Sequence, residues 1–428
     1  MAMSVSTNQN SVQSAVNLHT VISTGSKRFA GKTVGMVTFS GYPDDPRPRR
    51  AVDALRSEGA TVELVCLAGE GVPQRESLEG LEIFRVPLKR RRKGKFEYAY
   101  QYSSFISISA AIFAWRSLAR RYDLIYVHNM PDILVLSAMF PKMLGTKVVL
   151  DLHDPMPELM MTIFNLEGAS RSVRIIRKLE TWSIARANSI LTVNLAMKNL
   201  ISSRSCRPEK IGVVMNSPDT RIFPLCSPAP ESGLARQKGK KFVIMYHGSI
   251  VERNGLDVAV EAVARVRESI PDLELRIFGP STPFLERVMQ DVQSRNLDGC
   301  IRYLGPRSLE GLVPEIKSCD VGVIPNQRNT FTDINTPTRI FEYLAMGKPV
   351  IAPSTQGILD YFDPKSLLFF EPGNADDLAS QITYAYSHPG EMLETAERGQ
   401  QVYREHQWER ERETLLGRLS DTIHSRIQ

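Results

Sequence analysis

The stretch Asp333–Pro353 (DINTPTRIFEYLAMGKPVIAP) combines the parts of an anion-binding site. Asn335, Thr336 and Pro337 stand where a helix should begin. They supply polar residues at the cap, then a proline in the first turn, where its missing N–H costs nothing. The spacing predicts a helix over Thr338–Met346, stopped by Gly347, with Lys348-Pro349 leading into a strand Val350–Ala352. A helix N-terminus at the carboxyl edge of a strand offers unbonded N–H groups and the positive end of a dipole, which suits a diphosphate. Glu342 follows Thr338 by one turn, so both share a face. A carboxylate there could accept two ribose hydroxyls. The plainer alternative is a surface glutamate in an ordinary ion pair.

A second group of reactive side chains lies in Asp123–Glu158, within YVHNMPDILVL and VVLDLHDPMPEL. His128 and His153 each end a predicted parallel strand, where ligand-facing residues of open α/β sheets concentrate. A structural histidine is the commoner case, as is a metal cluster with Asp151, Asp154 and Glu158 the rarer one. No three-ligand spacing on one element supports the metal. The loop Ser40–Arg47 forms a further expected wall, and Gly41 permits close backbone approach to a ligand. Arg47, Arg49 and Arg50 open the next helix, where the dipole does not favour cations. They are either a solvated helix start or contacts for an anionic acceptor.

These groups need a scaffold of buried parallel strands. Val34–Phe39, Thr61–Val65, Ile83–Val86, Leu124–Val127, Val148–Leu152, Ile190–Val193 and Ile211–Met215 are apolar runs without strict alternation, as in strands covered on both faces. Helical patterns such as Pro48–Glu58 and Arg174–Arg186 lie between them. A second series runs through Phe242–Tyr246, Leu273–Phe278, Ile301–Leu304, Val321–Ile324, Val350–Ala352 and Leu367–Phe370, with helices at Gly255–Ile270 and Pro283–Arg295. The rhythm predicts two doubly wound α/β domains, over 29–215 and 241–388. Residues 216–240, dense in Pro, Ser and Gly, read as the linker. Residues 1–28 read as a disordered lead-in. The charged tail, 389–428, reads as a helix returning to brace the first domain, because Val402, Tyr403 and Trp408 need a place to pack.

The chain has 428 residues and a formal charge of +6, enough for an anionic ligand or acidic membrane surface. The basic residues are spread out and no aromatic RNA-reading motif is present, so a nucleic-acid partner is not expected. Five cysteines without a zinc or redox spacing read as reduced thiols of a cytoplasmic protein. Residues 96–115 are apolar but carry Glu97, Gln101 and serines, so a buried or interfacial helix is expected rather than a span. The preceding KRRRKGK, residues 89–95, reads as a solvated loop or as a patch that docks on anionic lipid.

RIFEYLAMGKPVIAP resembles the nucleotide-sugar signature of glycosyltransferase family 4, retaining enzymes of the GT-B fold. Tyr246-His247-Gly248 with RNGLD at 253–257, RIFGP at 276–280, YLGPRS at 303–308, SCDVGVIPNQRN at 318–329 and LLFFEPGNADDLASQI at 367–382 extend the resemblance over nearly all of 240–390. It implies two Rossmann-like domains facing across a cleft, and transfer of a sugar, of hexosyl type, from a nucleoside-diphosphate sugar. It also implies that Glu342 binds the donor ribose. The family's first carboxylate falls at Ile334, so Asp333 or the backbone of Asn335, Thr336, Pro337 and Thr338 is left to hold the sugar. Ser249 and Asn254 replace the Arg and Lys of many relatives in the Gly248 loop, which leaves Arg253 and Arg339 as the diphosphate-binding cations. LDLHD resembles the first-domain motif whose histidine lies by the reacting sugar. By that match His153 is the catalytic residue, and His128, Asn129 and Asp132, with Gly41 and Arg47, line the acceptor side.

With no aspartate placed as a nucleophile, front-face substitution without a metal or bound cofactor is expected. The acceptor would be a glycan or lipid-linked saccharide of polysaccharide or glycolipid assembly, met in the cytoplasm or at the inner face of the membrane. The rival readings are a GT-B nucleotide-sugar epimerase and a catalytically silent nucleotide-sugar-binding subunit.

Overall fold

The computed structural model describes residues 27–88, 95–228 and 240–425. The basic run is outside it up to Gly94, as are most of the lead-in and residues 229–239 of the linker. The first sheet contains β1 (Thr33–Gly41), β2 (Thr61–Leu67), β3 (Arg75–Leu78), β4 (Leu81–Val86), β5 (Leu124–His128), β6 (Lys147–Leu152), β7 (Ser189–Thr192) and β8 (Ile211–Val213). Its order is β3-β4-β2-β1-β5-β6-β7-β8, and only β3 runs antiparallel to its neighbour. The second sheet contains β9 (Phe242–His247), β10 (Leu273–Phe278), β11 (Ile301–Tyr303), β12 (Val321–Val323), β13 (Val350–Pro353) and β14 (Leu368–Phe370). Its order is β11-β10-β9-β12-β13-β14, parallel throughout.

Both sheets are doubly wound. The order reverses between β1 and β5 in the first and between β9 and β12 in the second. At such a point the loops leaving adjacent strands diverge to opposite faces and open a crevice at the carboxyl edge. Gly41 and His128 end the two strands of the first crevice, and His247 ends β9 of the second. The edge strand β3 is the element the sequence reading lacks. Arg75-Glu76-Ser77-Leu78 is short, polar and mostly exposed, so it has no apolar run to betray it.

Helices cover each sheet. On one face of the first lie α1 (Pro46–Ser57) and the C-terminal helix. On the other lie α2 (Lys95–Ala119), a 3-10 turn Asp132–Ala138 running into α3 (Met139–Met143), α4 (Met156–Phe164), α5 (Arg171–Arg186) and α6 (Leu195–Ser202). Around the second sheet are α7 (Leu256–Val266), α8 (Pro283–Ser294), α9 (Leu309–Lys317), α10 (Thr338–Ala345), α11 (Gln356–Leu359) and α12 (Ala375–Ser387).

The tail is two helices, α13 (Pro389–Glu405) and α14 (Trp408–His424), and they serve different domains. Tyr403 of α13 is buried in the second core, and Gln400 donates to the carbonyls of Leu344 and Cys226. Leu415, Leu416 and Leu419 of α14 are buried in the first-domain core, where the helix packs on α1 and β6, with Arg412 on Glu58 (2.7 Å) at the rim. The chain thus passes between domains twice, after β8 and between α13 and α14. Glu411 joins the two passages, accepting from the Met215 N–H at 2.8 Å and lying 3.0 Å from His406 Nδ1. A third contact is made by Asn194, which donates to the Ile334 carbonyl (2.8 Å) and to Thr336 Oγ1 (3.0 Å).

Because Leu416 is fully buried in a core built from residues some 350 positions earlier, Leu416→Ala should destabilise the first domain by about 2–5 kcal/mol. Urea unfolding checks this. A midpoint equal to that of the wild type would mean that α14 adds nothing to that core.

Candidate active site

The two carboxyl edges face each other across a cavity of about 740 Å³. From the second domain, Ser249, Arg253, Thr338 and Glu342 line it. α10 begins at Pro337, whose φ of −63° and ψ of 126° make it the cap residue, with no side chain bonded to the first-turn N–H groups. The expected polar cap is not formed. Thr336 Oγ1 donates instead to the Gly357 carbonyl and accepts from Asn194, so the proline moves one place outward. The first turn of α10 therefore meets the cleft without a side-chain acceptor, the condition that favours an anion.

Glu342 is the most informative group. It is buried, and among the described residues its carboxylate accepts no hydrogen bond. Burial pushes its pKa up to about 7, and Arg339 and Arg50 offset this only in part. His247 Nε2 lies 3.3 Å away without forming a hydrogen bond, and burial, with help from Arg339, takes that imidazole down to about 3, so it is neutral and supplies no counter-charge. A carboxylate in this position has two oxygens awaiting donors.

The Gly248 loop is pinned from beneath. Arg339 donates to the His247 carbonyl (2.7 Å) and Asn326 Oδ1 (3.2 Å) and lies over the Tyr246 ring. Tyr246 and Asn254 both donate to the Ser249 carbonyl at 2.7 Å. Gly248 has φ +116°, and a Cβ there would lie 3.1 Å from Arg339 Cδ. Arg339 and Asn254 thus support the loop, whereas Arg253 and Ser249 face the cavity. Asp333 pairs with Arg328 at 3.3 Å and does not line the cavity, nor do Asn335, Thr336 and Pro337. The expectation that Asp333 replaces the absent carboxylate is corrected accordingly.

In the first domain, Asp151 organises the site. Arg47 grips it with two bonds of 2.7 and 2.6 Å, and Tyr126 adds a third at 2.8 Å. Burial opposes both charges. The pair overcomes it, so the Asp151 carboxyl is held well below the usual range and the Arg47 guanidinium stays charged. Arg47 also donates to the Val214 carbonyl and Asn216 Oδ1. Arg47 lines the cavity, as expected, and these bonds hold it as a fixed part of the wall. His128 is fully buried, stacked on Tyr126 with ring centroids 4.5 Å apart, and does not reach the cavity. Asp132 is buried as well, and burial followed by the charge of Glu180 raises its carboxyl to about 7. Neither lines an acceptor path. Gly41 is half-buried beside the cavity, whose wall there is made by Ser40.

Asn129 and His153 do line it. Asn129 clamps the turn that carries the histidine, accepting from the His153 N–H (3.1 Å) and donating to the Asp154 carbonyl (2.6 Å) and Asp132 (3.0 Å). Burial lowers the His153 pKa, which keeps the ring neutral near pH 7. His128, Asp151 and His153 bring three ligand atoms within 4.8 Å of one another. Arg47 already occupies both Asp151 oxygens with a fixed positive charge, so this is a poor place for a cation.

One group beside the cavity is not singled out by the sequence, and one expected cation, Arg50, reaches the cavity in an environment the sequence does not show. His247 belongs to the Tyr-His-Gly motif but was read only as part of it. Arg50, buried and stacked on Trp408 at 5.0 Å, makes no ion pair among the described residues. Burial and the neighbouring Arg47 bring its pKa down to about 10. Only the tail helix, placed by the fold, reveals that stacking.

Two Rossmann-like domains with a cleft between their carboxyl edges define the GT-B class. Residues 46–217 match the glycosyl transferase 4-like domain, and residues 241–388 match glycosyl transferases group 1. The chain belongs to glycosyltransferase family 4. It is 23% identical over 304 residues to a Pseudomonas aeruginosa protein named probable glycosyltransferase WbjE, covering 70% of this chain and 73% of that one. Among solved structures, a sucrose-phosphate synthase from Thermosynechococcus elongatus superposes with a TM-score of 0.72 at 17% identity, covering 91% of this chain and 98% of that one. HepE from Anabaena, solved in complex with UDP, gives 0.67 at 16% identity over 91% and 100%. The fold and the transferase class are those expected from RIFEYLAMGKPVIAP. No helix among the described residues is long and apolar enough to cross a membrane.

The state of Glu342 has a testable sign. Its folded pKa, about 7, lies above the ordinary value of 4.5, so the folded protein binds the extra proton. Stability from this group is present at pH below 4.5 and lost as pH rises through 7. Glu342→Gln should therefore raise the melting temperature of the ligand-free protein at pH 8, with the gain shrinking towards pH 5. An equal shift at both pH values would contradict an uncompensated buried carboxylate.

Proposed function

We propose that this glycosyltransferase moves a hexosyl group, with retention of configuration, from a nucleoside-diphosphate sugar to a glycan or lipid-linked acceptor. The observation that carries the reading is the unpartnered carboxylate of Glu342, one turn inside a helix whose N-terminus opens on the cavity that His153 lines from the other domain. In this reading the ribose hydroxyls donate to Glu342. The diphosphate lies against the first turn of α10 and Arg253, and the sugar lies beside His153. The bond from the anomeric carbon to the phosphate oxygen breaks while the acceptor oxygen bonds to the same face. The acceptor proton passes to the departing phosphate oxygen. Arg253 and the helix N-terminus stabilise the charge that develops there, and the neutral His153 ring orients the sugar. No metal is invoked, since the guanidinium of Arg47 occupies the one carboxylate near both histidines. The setting is the assembly of polysaccharide or glycolipid at the cytoplasmic face of a membrane. HepE was solved with UDP and with UDP-glucose, so uridine nucleotides are the first donors to try.

A thermal-shift screen of nucleoside diphosphates and their sugars, run with chelator, tests the reading. A selective shift is expected, corresponding to about 2.7 kcal/mol at a hundredfold excess over Kd. His153→Ala should keep that shift and lose transfer by roughly a hundredfold or more. No shift with any nucleotide, or a shift abolished by chelator, would contradict the donor site as drawn. Donor conversion without any acceptor would favour an epimerase.

A further inference from the structure

α2 has two apolar faces. Its buried side, with Phe105, Ser109 and Phe113, packs on the first sheet. Its opposite side carries Tyr100, Ile108, Ala111, Trp115 and Leu118, all exposed. At 100° per residue these five fall within an arc of about 80° and span about 27 Å of helix. Exposure is large where it counts: 69% for Tyr100, 62% for Trp115 and 75% for Leu118. Ser104 and, in the first turn, the half-buried Glu97 share this arc, but from Ile108 to Leu118 it is apolar throughout, so water is not the medium that part of the face suits.

The apolar surface continues onto its neighbours. The 3-10 turn and α3, which pack beside α2, expose Leu136, Phe140 and Met143, the last at 82%. α5 packs against the other side of the 3-10 turn and exposes Ile175 and Leu179. On the same outward face of α5 stand Arg171, Arg174 and Lys178, exposed and without an ion pair among the described residues. No acidic side chain of these elements is exposed. Glu97 is half-buried, and Asp132 and Glu180 are buried. Apolar side chains edged by cations, with the acids withdrawn, match a bilayer surface with anionic headgroups, where cations meet phosphate and aromatic or aliphatic groups enter the acyl boundary.

We propose that the outer face of α2, α3 and α5 is a membrane-docking surface for anionic lipid. This deepens the reading of a lipid-linked acceptor and rests on it only for its purpose. The docking is measured with neither donor nor acceptor, so its failure would leave the transfer reaction standing. The face is distinct from the basic run before Lys95, which lies outside the described residues.

Co-sedimentation of the full chain with vesicles decides it. Wild type should bind vesicles containing phosphatidylglycerol and not vesicles of phosphatidylcholine alone. W115S/L118S, which alters only exposed side chains, should weaken binding about tenfold or more. R171E/R174E/K178E should weaken it similarly and reduce its salt dependence. Both variants should keep the wild-type melting temperature and nucleotide shift. Two results would overturn the proposal. One is W115S/L118S binding that equals wild type, which would leave the basic run as the anchor. The other is absence of vesicle binding together with a wild-type dimer, seen by light scattering, that W115S/L118S makes monomeric, which would assign the face to a second copy of the chain.

Discussion

A carboxylate taken out of water must be paid for by hydrogen bonds, by a counter-charge or by taking up a proton. At Glu342 the described residues supply none of the first and, through Arg339 and Arg50, only a partial version of the second. The rest of the cleft can be understood from this deficit. Arg339, the obvious counter-charge one turn away, is turned to the His247 carbonyl and Asn326. His247, the nearest ring, is kept neutral by burial. The donors that would satisfy Glu342 must come from outside, and a vicinal diol is the ligand group that presents two at once.

The first domain uses the opposite arrangement. Asp151 is equally buried but fully engaged, held by Arg47 and Tyr126, and Arg47 in turn binds the strand end at Val214 and the crossing residue Asn216. This fixed pair ties β6, the start of α1 and the first interdomain passage into one unit. Removing one partner of such a pair would strand a buried charge, which is strongly destabilising. His153 follows Asp151 by two residues, and Asn129 clamps its backbone. A rigid wall therefore faces, across the cavity, one that carries an unmet carboxylate.

Much of this was legible in the residues. Runs such as Val148–Leu152 are buried on both faces and can hardly be anything but central parallel strands. Helix α10, with Gly347 and Lys348-Pro349 after it, announces both its end and the strand that follows. Glu342 could be placed one turn in from spacing alone. What the residues concealed was partner choice. His128, Asp132 and Arg47 sit at strand ends and helix starts, where ligands are met, yet each turns inward because a complementary group lies beneath it. For Arg47 those groups, Asp151 and Asn216, are 104 and 169 positions away, while Asp132 is held by the nearby Asn129. The division of the tail was hidden for a related reason. The charged pattern of α13 and α14 is continuous, and only packing sends Tyr403 to one core and Leu416 to the other.

The central claim is that Glu342 recognises the donor's ribose hydroxyls. Calorimetric affinities for UDP, or for whichever diphosphate stabilises the protein most, should be compared with those for its 2′,3′-dideoxy counterpart in wild type and in Glu342→Ala. Hydrogen bonds to a charged group contribute about 1.5–3 kcal/mol each, so the wild type should prefer the ribose by about tenfold or more. The variant should bind both ligands alike. Equal binding by the wild type, or a preference that survives in Glu342→Ala, would contradict the account.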